Sequence, residues 1–274
     1  MSAAPSPDLD AYFARIGYTG PRTPDSAVLA AIHACHASTI PFENLDIQLG
    51  RRIAVDLPSI ERKLVLGRRG GYCFEQNTLF AAVLRALGFT VTPYLGRVRW
   101  QLPVDQPTAL THLLLRVETP DAGPHLADVG FGSMSLYRPL RFAFDVPQSG
   151  CLEPRRLVLR DRLIVHQALL GDTWGDVYLF APDPIPPIDV DMGNWFTCAH
   201  PESAFLKNLR ASRVCADRRY TILNSDFNLR HADGRVERRT FVHPDEILAV
   251  LAEHFGLHFP PGTRFGPPGA PWPR

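Results

Sequence analysis

Apolar residues recur at Leu9, Tyr12, Phe13 and Ile16, the spacing of one helix face, and Gly17 follows, so the chain opens on a predicted short amphipathic helix. A second helix is expected over residues 24–36, capped by Thr23, with Leu29, Ile32 and His36 on one face. After a turn-like segment at 41–44, a third helix near 59–66 runs into Gly67, Gly70 and Gly71. A fourth starts close to Cys73, buries Leu79, Phe80, Val83, Leu84 and Leu87, and stops at Gly88. From Phe89 the apolar period shortens to two, in runs at 90–92 and 97–100 and then 111–118, 124–129, 156–160, 163–168 and 174–180. Strands so closely spaced predict an antiparallel barrel or sandwich.

The prolines of Ala181-Pro182-Asp183-Pro184-Ile185-Pro186-Pro187 exclude a sheet or helix interior and mark a crossing between lobes. Beyond it come strands near 219–224 and 236–241, and a helix over 244–255 with His243 as cap and Gly256 behind it. The proline-rich tail, 260–274, is expected to be irregular, draped over the body or mobile. The pattern divides the chain at 1–88, 89–190 and 191–274: a helical part, a strand-rich part and a small mixed lobe.

Charge and cysteine usage narrow the function classes. Lys plus Arg number 29 against 28 for Asp plus Glu, so net charge recruits neither nucleic acid nor a membrane surface, and the basic spots at Arg68, Arg69, Arg235, Arg238 and Arg239 read as solvated surface. The first ten residues lack the basic start and apolar stretch of a leader, and no run of about 18 apolar residues occurs, which points to a cytoplasmic protein. Cysteines at 35, 73, 151, 198 and 215 form no C-x-x-C spacing, against both a disulfide framework and a structural zinc site. Cys198 and His200 are too few to hold a metal, so none is expected.

One thiol stands apart. In Arg69-Gly70-Gly71-Tyr72-Cys73-Phe74-Glu75-Gln76-Asn77 a double glycine delivers Cys73 to the first turn of a helix, where unpaired N–H groups and the dipole favour a thiolate. A predicted hairpin joins Thr111-His112-Leu113 to Asp128-Val129-Gly130, in a register that sets His112 opposite position 130 and Asp128 opposite 114. His112 and Asp128 then share a face as diagonal neighbours, the orienting pair a nucleophilic cysteine requires. Cys35, Cys151 and Cys215 have no activating neighbour, and His33 and His36, three apart on a helix, read as interface or core residues.

These motifs resemble the arylamine N-acetyltransferases, along with Ile40-Pro41-Phe42-Glu43-Asn44-Leu45, Asp128-Val129-Gly130-Phe131-Gly132, Asn194-Trp195-Phe196-Thr197 and His200-Pro201-Glu202-Ser203-Ala204-Phe205, which span nearly the whole chain. The resemblance implies an α+β fold with an N-terminal helical bundle, a central antiparallel β-barrel and a C-terminal α/β lid around a cysteine-protease-like core. It implies a triad at Cys73, His112 and Asp128, acetyl-CoA as acyl donor, an arylamine or hydrazine as acceptor, and a ping-pong course through an acetyl-cysteine. Matched positions would place Phe42 and Phe131 in the acceptor pocket, and Trp100, Thr111, Gly132 and Phe205 along the coenzyme A cleft. Cys198 replaces a hydroxyl residue that many relatives carry near the coenzyme. Backbone N–H groups at Cys73 and around 130–132 are candidates for an oxyanion site. The competing chemistry for the same triad is a cysteine amidase or other hydrolase, with water as acceptor.

Overall fold

The computed structural model describes residues 6–103, 105–149, 152–266 and 270–273; Cys151, residues 104 and 150, residues 1–5 of the N-terminal stretch, and 267–269 and 274 of the tail lie outside them. Helical segments form the first layer. Helix α1 (Leu9–Ile16) is capped by Asp8, whose carboxylate accepts from Ala11 N, and ends on left-handed Gly17. Helix α2 (Ser26–Thr39) is capped by Asp25 rather than Thr23; the Thr23 hydroxyl instead donates to the Asp25 carboxylate at 2.6 Å and orients it. Ile40, ahead of Pro41, is extended, as proline requires of its predecessor, and stops the helix.

A two-residue strand β1 (Phe42–Glu43) and a turn of helix α3 (Leu45–Gln48) precede α4 (Leu57–Ile60), which widens into a π-helical segment (Glu61–Leu66). Helix α5 (Cys73–Ala86) begins on the cysteine itself. Its buried face packs Leu79, Phe80, Val83 and Leu84 into one core with Leu29, Ile32 and Leu64.

Seven antiparallel strands follow: β2 (Thr90–Val98), β3 (Leu110–Thr119), β4 (Gly123–Ala127), β5 (Leu140–Arg141), β6 (Arg155–Arg160), β7 (Leu163–Leu170) and β8 (Thr173–Phe180), in the order β5-β4-β3-β2-β8-β7-β6. Bridges Phe144 to Leu157 and Gln148 to Arg155 carry the chain after β5 onto β6 and nearly close the barrel. The β3–β4 hairpin pairs Leu115 with Ala127 and Val117 with His125, the register expected from the sequence. Alternation along it serves two cores. Leu115 and Val117 face the bundle, while Leu114 and Leu126 face the barrel interior, and His112 and Asp128 continue that inward face at the barrel's end.

The last lobe comprises α6 (Pro187–Ala199), α7 (Ala204–Lys207), β9 (Arg210–Val214), β10 (Arg218–Leu223), β11 (Asp226–His231), β12 (Val236–Thr240) and α8 (Pro244–Phe255). Its sheet runs β1-β9-β10-β11-β12, so its edge strand comes from the helical third of the chain. His243 caps α8 and left-handed Gly256 ends it. The tail is draped: Phe265 and Trp272 are buried in the lid core, and the Trp272 indole N–H donates to Gln48 Oε1 at 3.0 Å. Among the described residues no helix is long and apolar enough to cross a membrane.

Candidate active site

Two lobes converge on Cys73. The double glycine lets the preceding loop lie against neighbouring backbone: a Cβ on Gly70 would sit 2.2 Å from the Pro41 carbonyl oxygen, and one on Gly130 would sit 2.7 Å from Cys73 Cα. Glycine at 130 is therefore what allows the turn after Asp128 to press on the start of α5. Glu75 closes that start from the other side, accepting from Tyr72 N at 3.1 Å and from Lys63 Nζ at 2.7 Å. Arg69, expected at the surface, is turned inward onto Glu43 Oε1 at 2.7 Å and Asp46 Oδ1 at 3.3 Å. This ion network ties the loop ahead of the thiol to β1 and α3.

The Cys73 thiol, 3 % exposed as a residue, donates to the Thr111 carbonyl at 3.5 Å, and Cys73 is among the groups that act on the charge of His112. The His112 contact with the carboxylate is fixed: Nε2 lies 2.8 Å from Asp128 Oδ2, which leaves Nδ1 for the Cys73 side of the ring. Asp128 is fully buried and its second oxygen accepts from Asn77 Nδ2 at 3.0 Å and Gly130 N at 3.0 Å. Asn77, one helical turn beyond Cys73, also donates to the Leu113 carbonyl at 2.7 Å and accepts from Val129 N at 3.1 Å. A single α5 side chain thus staples the strands that carry His112 and Asp128. Phe131 and Tyr178 enclose the imidazole, with ring centroids 5.0 and 4.8 Å away.

Burial alone would strip the charge from His112, but the Asp128 carboxylate, with help from nearby Cys73, outweighs it and pushes the imidazole up to about 10. Burial likewise opposes the Asp128 charge, and His112, Asn77 and the Gly130 N–H overcome it, leaving the carboxyl at about 2. The two groups face each other as an ion pair through the whole neutral range.

A family model described as N-acetyltransferase matches residues 25–263. The arylamine N-acetyltransferase of Mycobacterium tuberculosis is 39% identical, over 92% of this chain and 89% of that protein, and the Escherichia coli K12 protein of that name is 39% identical over the same shares. The solved structure of Mycobacterium marinum arylamine N-acetyltransferase in complex with CoA superposes with a TM-score of 0.87 at 37% identity, covering 91% of this chain and 92% of that one. The chain belongs to the arylamine N-acetyltransferase family. Membership makes it an acyltransferase, and the bundle, near-closed barrel and lid are the fold of the arylamine N-acetyltransferase structures.

The remaining sequence-predicted positions divide in two. Phe42, Phe205 and Tyr72 form an aromatic wall, with Phe42 to Phe205 at 6.1 Å and Tyr72 to Phe205 at 5.7 Å, and Gly132 lies against the Phe42 ring. Phe131 sits across the imidazole, and Thr111 meets the thiol through its carbonyl. Trp100 packs partly buried against the barrel core, as Phe131 and Phe142 do. Cys198 borders the cluster around Cys73 and lies beside the Tyr72 hydroxyl, which donates to Asn194 Oδ1.

Two oxyanion candidates are lost. Gly130 N is occupied by Asp128 Oδ1 and Gly132 N donates to Ser135 Oγ at 2.7 Å, because each amide closes its own side-chain turn. Cys73 N, at the first helical position, has no acceptor among the described residues. Among those residues no three His, Cys, Asp or Glu side chains gather as a metal site.

Three buried histidines carry a stability consequence. Burial pushes His33 down to about 4 and His36 down to about 3, and places His166 well below its usual value. All three fold neutral, whereas the unfolded chain protonates them near 6.5, so their contribution is present above that value and is lost as pH falls from about 6.5 to about 4, by roughly 1.4 kcal/mol per group per pH unit. His112 acts in the opposite sense, its contribution fading as pH rises from about 6.5 through about 10. Urea unfolding is expected to show a steep loss of stability from about pH 6.5 to about pH 5, less steep in His36→Gln; a flat profile there would contradict three neutral buried rings.

Proposed function

We propose that Cys73, His112 and Asp128 transfer an acetyl group from acetyl-CoA to an arylamine or arylhydrazine through an acetyl-cysteine intermediate. The observation that carries this is the His112–Asp128 contact of 2.8 Å, beside a thiol on the first residue of a helix that bonds to the carbonyl of Thr111, the residue before His112. The relative solved with CoA supports a coenzyme A thioester as donor.

In the first half-reaction the Cys73 thiolate, stabilised by the imidazolium and the helix end, attacks the thioester carbonyl. A carbon–sulfur bond forms, and the oxyanion falls to the unengaged Cys73 N–H. The bond to coenzyme A breaks, and the departing sulfur takes the proton from His112. In the second half-reaction the amine attacks the acetyl-cysteine, neutral His112 accepts the N–H proton, and Cys73 leaves as thiolate with imidazolium restored. Asp128 stays ionised throughout, orienting the ring and stabilising its charged form.

Phe42 and Phe131 suit a flat apolar acceptor, and Trp100, Thr111, Gly132 and Phe205 are assigned to the coenzyme side. A cytoplasmic location keeps with this chemistry, since a reducing compartment preserves the thiol. Coenzyme A release from acetyl-CoA is expected to be slow after one turnover and to rise at least about tenfold when an arylamine such as aniline is added. A rate indifferent to amine would identify water as the acceptor and the chain as a hydrolase.

A further inference from the structure

Helix α2 carries two histidines that the reaction above does not use. His33 and His36 are one turn apart, wholly buried, and both set edge-on to Phe80, with ring centroids at 5.6 and 5.4 Å. Each has both ring nitrogens engaged, and the partners fix the tautomers. His33 Nδ1 donates to the Tyr137 carbonyl at 3.2 Å, so Nε2 is the acceptor for the Asp128 backbone N–H, also at 3.2 Å. For His36 the fixed point is Gln76. Its Nε2 donates to the Gly71 carbonyl at 2.8 Å, which turns its oxygen toward His36; His36 Nε2 therefore donates at 2.9 Å, and Nδ1 accepts from the Tyr12 hydroxyl at 2.8 Å.

One rigid helix thus holds two segments that are remote in sequence. His33 grips the backbone of Asp128, and His36 grips, through Gln76, the loop two residues ahead of Cys73. We propose that His33 and His36 are positioning residues, a brace that sets the distance between the Cys73 loop and the Asp128 strand and thereby the aim of His112 at the thiol. An apolar side chain at either position would fill the space and leave the brace unmade. An imidazole supplies an acceptor at one edge and a donor at the other on a ring that cannot flex. The proposal rests on the roles assigned above to Cys73, His112 and Asp128.

The test uses the geometry of the amides. Glutamine places its amide where Nε2 sits and asparagine where Nδ1 sits. His33→Gln keeps the contact with Asp128, whereas His33→Asn keeps the contact with Tyr137 and loses Asp128. In the full chain, with folding checked by circular dichroism, His33→Gln is expected within about threefold of the parent in single-turnover acylation. His33→Asn is expected to lose at least about tenfold, with KM for acetyl-CoA within about twofold, because a displaced base slows chemistry without weakening binding.

Iodoacetamide labelling of Cys73 across about pH 5 to about pH 9 reads the thiol–imidazole alignment with no acyl donor, and its profile is expected to shift only in the asparagine variant. Equal acylation rates and equal labelling profiles in the two folded variants would overturn the brace. The same pair at position 36 repeats the test at the Cys73 loop, so one misfolded variant leaves the other to decide. A parent chain that releases no coenzyme A would instead overturn the acetyl-transfer assignment, and the labelling profiles would still judge the brace.

Discussion

Asp128→Asn is expected to lower the rate of acylation by acetyl-CoA by about 10³–10⁴-fold while the chain stays folded. The asparagine oxygen can still accept from Asn77 Nδ2 and Gly130 N, so the scaffold's hydrogen bonds survive. Its amide nitrogen then faces His112 Nε2, and two donors cannot share that contact. The imidazole must place its proton on Nδ1, the nitrogen left for Cys73, and cannot take the thiol's proton there. The charge that holds His112 at about 10 is lost as well, and burial, unopposed, drives the ring neutral. Stopped-flow measurement of coenzyme A release should therefore show a fall in rate with little change in KM. A loss of less than about tenfold would mean that Asp128 serves the fold and not the imidazole.

Cys73→Ser is expected to reduce turnover by about 10⁴-fold or more, with acetyl-CoA binding retained in calorimetry. A serine hydroxyl in the same place keeps its proton, since an imidazolium that stabilises a thiolate does far less for an alkoxide of much higher basicity. Residual turnover above about 1% would show that the acetyl group reaches the amine without passing through residue 73.

These effects fall on residues that were legible in the sequence, and the reason is local geometry. Cys73 announces itself by the double glycine and the apolar helix behind it, and helix and glycines act within ten residues of each other. His112 and Asp128 are readable because a tight hairpin has few registers, and period-two burial selects the one that pairs Leu115 with Ala127. What was not legible depends on distant partners. Strand β9 reads Arg-Ala-Ser-Arg-Val, with no apolar alternation to mark it, and forms because β1 and β10 flank it. Arg69 looks like surface charge until Glu43 and Asp46 fold beneath it. His33 meets Asp128 across 95 residues of chain, and no spacing rule connects them. That the amides of Gly130 and Gly132 are unavailable to an oxyanion is not legible either, because the turns that consume them are built by the Asp128 and Ser135 side chains.

The most direct measurement is an intact-mass spectrum taken after a brief exposure of the chain to acetyl-CoA without acceptor. A gain of one acetyl group, mapped by peptide digestion to Cys73, absent from Cys73→Ala and removed on adding an arylamine, is the predicted result. An unmodified parent chain that nevertheless acetylates the amine, or an acetyl group on any other residue, would contradict a covalent path through Cys73.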